Sequence, residues 1–229
     1  MAQEHTVKAF DEDITRLRGL IAEMGGLVEV AIDEALDALV RGNQDMADSV
    51  IARDKRIDTL EMEVDKLAVR VIALRAPMAD DLREVIAALK IAGVLERIGD
   101  YAKNIARSAK RVENRKKFEP LTLIPAMAEI AGGMVHDVMT AFAARDPQLA
   151  ADVVSRDDKV DAFYDSIFRN LLTHMMENPA SITSAAELML VTRNIERIGD
   201  HATNVAEMVH YAATGLYLTD RDDRQATGA

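Results

Sequence analysis

Apolar residues recur at every third or fourth position along most of this chain of 229 residues. The clearest series are Ile57, Leu60, Val64, Leu67 and Val71, and then Leu95, Ile98, Ala102 and Ile105. This spacing places the apolar side chains on one face of an α-helix. No stretch shows the sustained alternation with a period of two that would indicate a strand. The pattern therefore predicts an all-α protein.

Residues that break helices are few and widely spaced. They are Gly42-Asn43, Ala76-Pro77, Pro120, Asp146-Pro147, Asn178-Pro179 and Gly215. Proline and glycine end helices, so these positions divide the chain into about six segments. The predicted helices span residues 5–41, 44–75, 78–116, 121–144, 147–177 and 180–214. Long helices joined by short loops are typical of antiparallel bundles.

The pentapeptide Glu-Arg-Ile-Gly-Asp occurs twice, at residues 96–100 and again at 196–200. Eight of the eleven positions between 96 and 106 are identical one hundred residues later. A repeat of this length indicates that one structural unit has been duplicated. The chemistry of the motif is therefore expected twice in the molecule.

The duplication extends over the helices that precede each pentapeptide. Residues 50–58 match 153–161, and Gly25-Gly26 matches Gly132-Gly133. We therefore predict six long helices that form two tandem, pseudo-symmetric three-helix bundles. The first unit is placed at 1–119, the second at 120–216, and a disordered polar tail at 217–229.

Composition excludes several classes of function. The chain contains no cysteine, which rules out disulfides, cysteine-ligated zinc, iron–sulfur clusters and thiol catalysis. Its formal net charge of −11 makes nucleic acid an unexpected partner and favours cations or basic protein surfaces. The sequence has neither a signal-peptide pattern at its N-terminus nor a run of eighteen apolar residues. We therefore expect a cytoplasmic protein.

Each predicted unit contains two pairs of acidic residues, one pair on each of two helices. The members of a pair are four positions apart, which on a helix puts them on one face about 6 Å from each other. If the two helices are neighbours, four carboxylates converge in a groove at the surface. These candidates are Asp54, Asp58, Glu96 and Asp100 in the first unit, and Asp157, Asp161, Glu196 and Asp200 in the second.

Four converging carboxylates raise one another's pKa values unless a cation lies among them. Arg97 and Arg197 could supply that charge, and a metal ion could do so as well, because carboxylate oxygens are hard ligands. The alternative is a solvated acidic face, as we expect for Glu61 and Asp65. The glycine in each pentapeptide indicates the close approach of either a bound group or a neighbouring helix.

The repeated motifs resemble those of the PhoU family of phosphate-signalling accessory proteins. The resemblance is carried by two Glu-Arg-Ile-Gly-Asp-x-Ala-x-Asn segments, two Arg-Asp-x-x-[Ile/Val]-Asp segments, and Leu-Arg-Ala-Pro-Met-Ala-Asp-Asp-Leu-Arg at 74–83. It covers roughly residues 7–214. The last segment departs from the family pattern at Ala76, where glutamine is common, and its counterpart near Pro179 lacks the Asp-Leu-Arg ending.

The resemblance implies a cytoplasmic negative regulator of phosphate uptake and of phosphate-regulon signalling. Its implied partners are the ATPase subunit of the phosphate ABC transporter, the sensor histidine kinase of the regulon, and a second copy in a homodimer. Nucleic acid is not implied, and a membrane is reached only through protein partners. Family members can hold iron or zinc clusters through acidic motifs, so the resemblance implies metal ligation by the eight candidate acids. Iron, zinc, manganese and magnesium are the candidate ions.

Two other classes of function compete with this interpretation. A di-iron carboxylate enzyme needs two Glu-x-x-His pairs, and only Glu207 with His210 fits that pattern. The sequence also lacks a phosphate loop and a nucleophile with an adjacent base, so we expect no enzyme activity. The second competitor is a metal-free helical scaffold or adaptor. His201, which follows Asp200, is an additional candidate ligand in the second unit.

Overall fold

Seven α-helices make up nearly all of the described chain, and the prediction of an all-α fold is confirmed. The computed structural model describes residues 2–113 and 122–218, with side chains from residue 9 onward. Within those ranges it contains no strand. The helices are α1 (Ala2–Arg41), α2 (Gln44–Arg75), α3 (Asp80–Ala109), α4 (Ile124–Ala144), α5 (Pro147–Val154), α6 (Asp157–Glu177) and α7 (Ile182–Thr214). A 3₁₀ turn, Pro179–Ser181, precedes α7.

Capping interactions explain why the helices end near the predicted breakers. The Asn43 side chain accepts a hydrogen bond from the Met46 amide at 3.1 Å and so caps α2. Asp146 caps α5 in the same way through the amides of Gln148 and Leu149. Gly215 adopts a left-handed conformation with φ of 75° and terminates α7.

The predicted fifth helix, 147–177, is wrong as one continuous element, because the chain turns at Ser155 and Arg156. Arg156 is held across the bundle at that point, where its Nη2 donates to Asp137 Oδ2 at 2.6 Å. The turn places Asp157 in the first turn of α6. Its counterpart in the repeat, Asp54, lies inside the unbroken α2.

Other predicted boundaries shift by smaller amounts. The third helix begins at Asp80 and ends at Ala109 rather than spanning 78–116, and the fourth begins at Ile124 rather than 121. The predicted boundary between units, at 119/120, lies outside the described residues. Most of the predicted tail, 219–229, also lies outside them. Tyr217, the first residue of the predicted tail, is described, and its ring stacks on Tyr211 with ring centroids 4.6 Å apart.

Helices α3 and α7 lie at the centre of the molecule. α3 packs against α1, α2 and α7, whereas α7 packs against α4, α5 and α6 as well as α3. The apolar series predicted for α2 and α3 are buried, and one continuous apolar core joins the two repeats. No described helix combines the length and the apolar character that crossing a membrane requires.

Helices α3 and α7 run antiparallel. The Arg83 guanidinium, in the first turns of α3, lies against Gly215 at the end of α7, while Arg111 Nη1, just beyond α3, lies 3.4 Å from Glu187 Oε1 near the start of α7. Tyr101 and His201 occupy equivalent positions of the repeat, and their rings meet edge to face with centroids 5.1 Å apart. The repeats are therefore related by a local pseudo-twofold axis at this contact.

Candidate functional site

Each acidic groove forms where two neighbouring helices pack closely at a glycine. A Cβ built on Gly99 would lie 2.9 Å from Ile57 Cδ1 and 3.6 Å from Asp54 Oδ1. A Cβ built on Gly199 would lie 3.1 Å from Asp157 Oδ1. Glycine therefore lets α3 approach α2, and α7 approach α6, until the acid pairs face each other. Close packing of helices accounts for both glycines.

The first groove comprises Asp54, Asp58, Glu96 and Asp100, which lie close enough to repel one another. Burial raises the pKa of Asp58, and repulsion by Asp54 and Asp100 raises it further. Burial also raises the pKa of Glu96, as do the charges of Asp100 and Asp58. The four acids predicted for this unit are therefore brought together.

Lys103 lies inside the first groove. Its Nζ donates to Asp54 Oδ2 at 2.5 Å and forms a second ion pair with Asp100. Only 16% of its side chain is exposed, and only 7% of the Asp54 side chain. Burial by itself would lower the pKa of Lys103, but the hydrogen bonds to Asp100 and Asp54 and the negative charges of these two carboxylates together raise that pKa. The lysine is thus held charged between α2 and α3.

Sequence reasoning missed this lysine and named Arg97 or a metal ion as the candidate compensating charge of this groove. Arg97 is exposed, and its charge acts on His201 across the α3–α7 contact. Two signals in the sequence could have identified Lys103. It follows Asp100 by three residues, which places both on one helix face, and it is one of the few positions where the repeated motifs differ.

The second groove comprises Asp157, Asp161, Glu196 and Asp200. Burial, followed by the charges of Asp200, Asp161 and Asp158, raises the pKa of Asp157 from 3.8 to about 6. Burial and the charge of Asp200 also raise the pKa values of Asp161 and Glu196. The four acids predicted for the second unit therefore also face one another.

No lysine reaches into the second groove from the position that corresponds to Lys103. That position is Thr203, whose hydroxyl donates to the Asp200 carbonyl oxygen of its own helix at 2.7 Å. Among the side chains that the structure describes, Asp157 Oδ1 and Glu196 Oε2 are buried oxygens without a hydrogen-bond partner. Arg197 Nε lies 3.6 Å from Glu196 Oε2, which is too far for a hydrogen bond.

Comparison with known proteins identifies the family. A family model described as the PhoU domain matches residues 21–109 and 124–209. The chain belongs to the PhoU family.

Relatives of this PhoU-family chain cover nearly its whole length. It is 51% identical to the "Phosphate-specific transport system accessory protein PhoU homolog" of Zymomonas mobilis, over 95% of this chain and 92% of that protein. It is 44% identical to the protein of the same name from Caulobacter vibrioides, over 95% of each chain.

Solved PhoU structures share the fold. The crystal structure of PhoU from Pseudomonas aeruginosa superposes with a TM-score of 0.87 at 35% identity, covering 90% of this chain and all of that one. A phosphate transport system regulatory protein PhoU from Streptococcus pneumoniae gives 0.85 at 25% identity, covering 91% of this chain and 99% of that one.

The two grooves of this PhoU-family protein differ in how well they fit a metal ion. In the described parts of the chain, no group of three acids or histidines is arranged to hold one ion as the side chains stand. The second groove nevertheless offers hard oxygen donors, two of them buried without a hydrogen-bond partner, and the chemistry of these donors fits a hard cation. The first groove does not fit, because the Lys103 ammonium already lies between Asp54 and Asp100.

The histidines considered from the sequence lie in other surroundings. The His201 ring packs on Tyr101 at the α3–α7 contact, and its Nδ1 lies 2.9 Å from the Arg197 carbonyl oxygen. Burial lowers its pKa. His210 is buried near the end of α7, where its Nδ1 lies 2.9 Å from the Leu216 carbonyl oxygen. These contacts give both rings packing roles.

Proposed function

We propose that this protein is a cytoplasmic accessory protein that restrains phosphate uptake and keeps phosphate-regulon signalling off when phosphate is plentiful. The observation that carries the proposal is the match, over 95% of this chain, to relatives named as accessory proteins of the phosphate-specific transport system. The motifs repeated within this chain lie in the grooves and on the helices that form them. A helical accessory protein is suited to regulating other proteins by binding them, and we propose no enzyme activity.

The proposed partners are the ATPase subunit of the phosphate ABC transporter and the sensor histidine kinase of the phosphate regulon, with a homodimer as the assembly. The formal net charge of this chain, −11, favours basic protein surfaces as partners and disfavours nucleic acid. Large apolar side chains are exposed where α2 and α6 end, including Met78 at 80% and Met176 at 84%. Flexible methionines of this kind suit adaptable protein contacts. A membrane would be reached only through these partners.

Metal binding is the second part of the proposal. Asp157, Asp161, Glu196 and Asp200 would hold the ion, with iron, zinc, manganese and magnesium as candidates. The ion would supply positive charge that cancels repulsion among the carboxylates and joins α6 to α7. The support is the pair of buried carboxylate oxygens without hydrogen-bond partners in the second groove.

Capture of the partners tests the regulatory part. Tagged full-length protein is used to capture the transporter ATPase and the sensor kinase from membranes prepared at high and at low phosphate. We expect capture to be stronger at high phosphate. Failure to capture either partner under both conditions would contradict the regulator. Repeating the capture with a chelator separates the metal-free adaptor from the metal-dependent regulator, since only the latter should lose its partners.

A further inference from the structure

The first groove has a lysine where the second groove has a threonine at the equivalent position. Lys103 on α3 corresponds to Thr203 on α7, within segments that are otherwise nearly identical. Four acids face one another in each groove, so the requirement for positive charge is similar in both. The two grooves differ, however, in whether a side chain supplies that positive charge.

In the first groove, Lys103 joins the two helices. Its Nζ contacts Asp54 on α2 and Asp100 on α3, in a position where only 16% of its side chain is exposed. An ammonium group can donate three hydrogen bonds, so it can serve two carboxylates together. This is the bridging role that a bound cation would otherwise perform.

In the second groove, the corresponding threonine cannot perform that role. The Thr203 hydroxyl is neutral and donates its hydrogen bond to the Asp200 carbonyl oxygen of the same helix. A buried carboxylate oxygen without a partner loses its hydration and gains nothing in exchange. Asp157 Oδ1 is in this position, and Glu196 Oε2 also has no hydrogen bond, with only the Arg197 guanidinium nearby at 3.6 Å.

The arginines around the second groove do not replace the lysine. Arg156 is engaged by Asp137 at 2.6 Å, on the side of α4. Arg197 stays 3.6 Å from Glu196, and its side chain is 44% exposed. Arg193 is exposed and acts on Glu196 through its charge only. Asp158 and Asp165 add further negative charge next to Asp161.

We propose that the first groove is closed to metal by Lys103, its built-in counter-ion, whereas the second groove takes an exchangeable divalent cation. This inference rests on the metal part of the proposed function and goes beyond it, because it makes the two repeats unequal. Only the second repeat then changes with the supply of metal. The first repeat remains a fixed scaffold for α3, against which α7 packs.

Reciprocal exchange of the two residues tests the inference. Full-length wild-type protein, Lys103→Thr and Thr203→Lys are stripped with a chelator, which is then removed, and titrated with Mn²⁺ by calorimetry. We expect wild-type binding to be lost in Asp157→Asn with Asp200→Asn and kept in Asp58→Asn with Asp100→Asn. Lys103→Thr should roughly double the stoichiometry, because it opens the second of two equivalent sites. Thr203→Lys should weaken binding roughly tenfold or more, and Thr203→Met is the control that adds length without charge.

The results separate failure of the inference from failure of metal binding. Loss of Mn²⁺ binding in Asp58→Asn with Asp100→Asn would overturn the inference, as would an unchanged stoichiometry in Lys103→Thr, while metal binding itself survived. No Mn²⁺ binding by any variant would overturn both, and capture of the partners would still test the regulator. Circular dichroism confirms folding of each variant. If Thr203→Lys does not fold, the gain expected for Lys103→Thr decides.

Discussion

Asp54 and Asp157 are equivalent residues whose neighbouring charges differ, at Lys103 against Thr203 and at Lys55 against Asp158. The carboxylate of Asp54 is paired with Lys103 at 2.5 Å, whereas Asp157 has one buried oxygen without a partner. Both lie against the glycine of the facing helix. The missing ion pair of Asp157 follows from the exchange of lysine for threonine one helical turn beyond Asp100 and Asp200, and Asp158 adds a negative charge that Asp54 does not have beside it.

The raised pKa of Asp157 predicts how the metal-free protein responds to pH. Between its ordinary value of 3.8 and about 6, the folded state keeps a proton on Asp157 that the unfolded state has lost. The stabilising contribution of that proton is present at low pH and is lost as pH rises through about 6. Asp157→Asn should therefore match wild type near pH 4 and become the more stable protein as pH approaches 6, with no further change above.

Urea denaturation with a chelator, across that pH range, measures the difference in the free energy of unfolding between the two proteins. Asp58, Glu96, Asp161 and Glu196 also have raised pKa values and give wild type a slope of the same sign, so the prediction concerns the difference between the two proteins and not the slope of either alone. A difference that stays constant with pH, or that shrinks toward pH 6, would count against this assignment.

Removal of Lys103 should destabilise the protein. Lys103→Met leaves two facing carboxylates without their cation, and charged hydrogen bonds of this kind contribute about 1.5–3 kcal/mol. The matched control is Lys110→Met, because Lys110 pairs with Asp48 where their side chains are 35% and 58% exposed. We expect that control to cost about 0–1 kcal/mol. Equal losses in the two variants, measured by urea denaturation, would show that Lys103 is an ordinary surface lysine.

At the scale of helices, much could be predicted from the sequence. The spacing of the apolar residues identified the buried faces of α2 and α3, and the helix-breaking residues located most of the helix ends. The turn between α5 and α6 was missed because Ser155 and Arg156 are not strong breakers. Their conformation depends on Arg156 reaching Asp137 on α4, which is a contact between helices that local sequence does not reveal.

Glycines on α3 offer a test of how closely the helices pack. A Cβ on Gly93 meets nothing within 4 Å, so Gly93→Ala should stabilise the protein by about 0.5–1 kcal/mol through helix propensity. Gly99→Ala gains the same propensity but places its Cβ 2.9 Å from Ile57 Cδ1 in the core. Overpacking costs about 1–3 kcal/mol, so this variant should be less stable than Gly93→Ala. Equal thermal midpoints for the two variants would contradict the close approach of α2 and α3.

At the scale of the whole molecule, the duplication predicted two similar units but not how they meet. The structure joins them through antiparallel α3 and α7 into one core, with Tyr101 on His201 at the local axis. The eight acids could be identified from their spacing, and the structure brings the four of each groove together. The unequal compensation of the grooves was not predicted, because it depends on which side chain the packing of α2 on α3 encloses.

Anomalous diffraction from crystals soaked in Mn²⁺ tests the central claim most directly. The inequality of the two grooves predicts an anomalous peak in the second groove, among Asp157, Glu196 and Asp200. It also predicts no peak in the first groove, where Lys103 should remain between Asp54 and Asp100. A peak in the first groove with Lys103 displaced, or no peak in the second, would contradict the account.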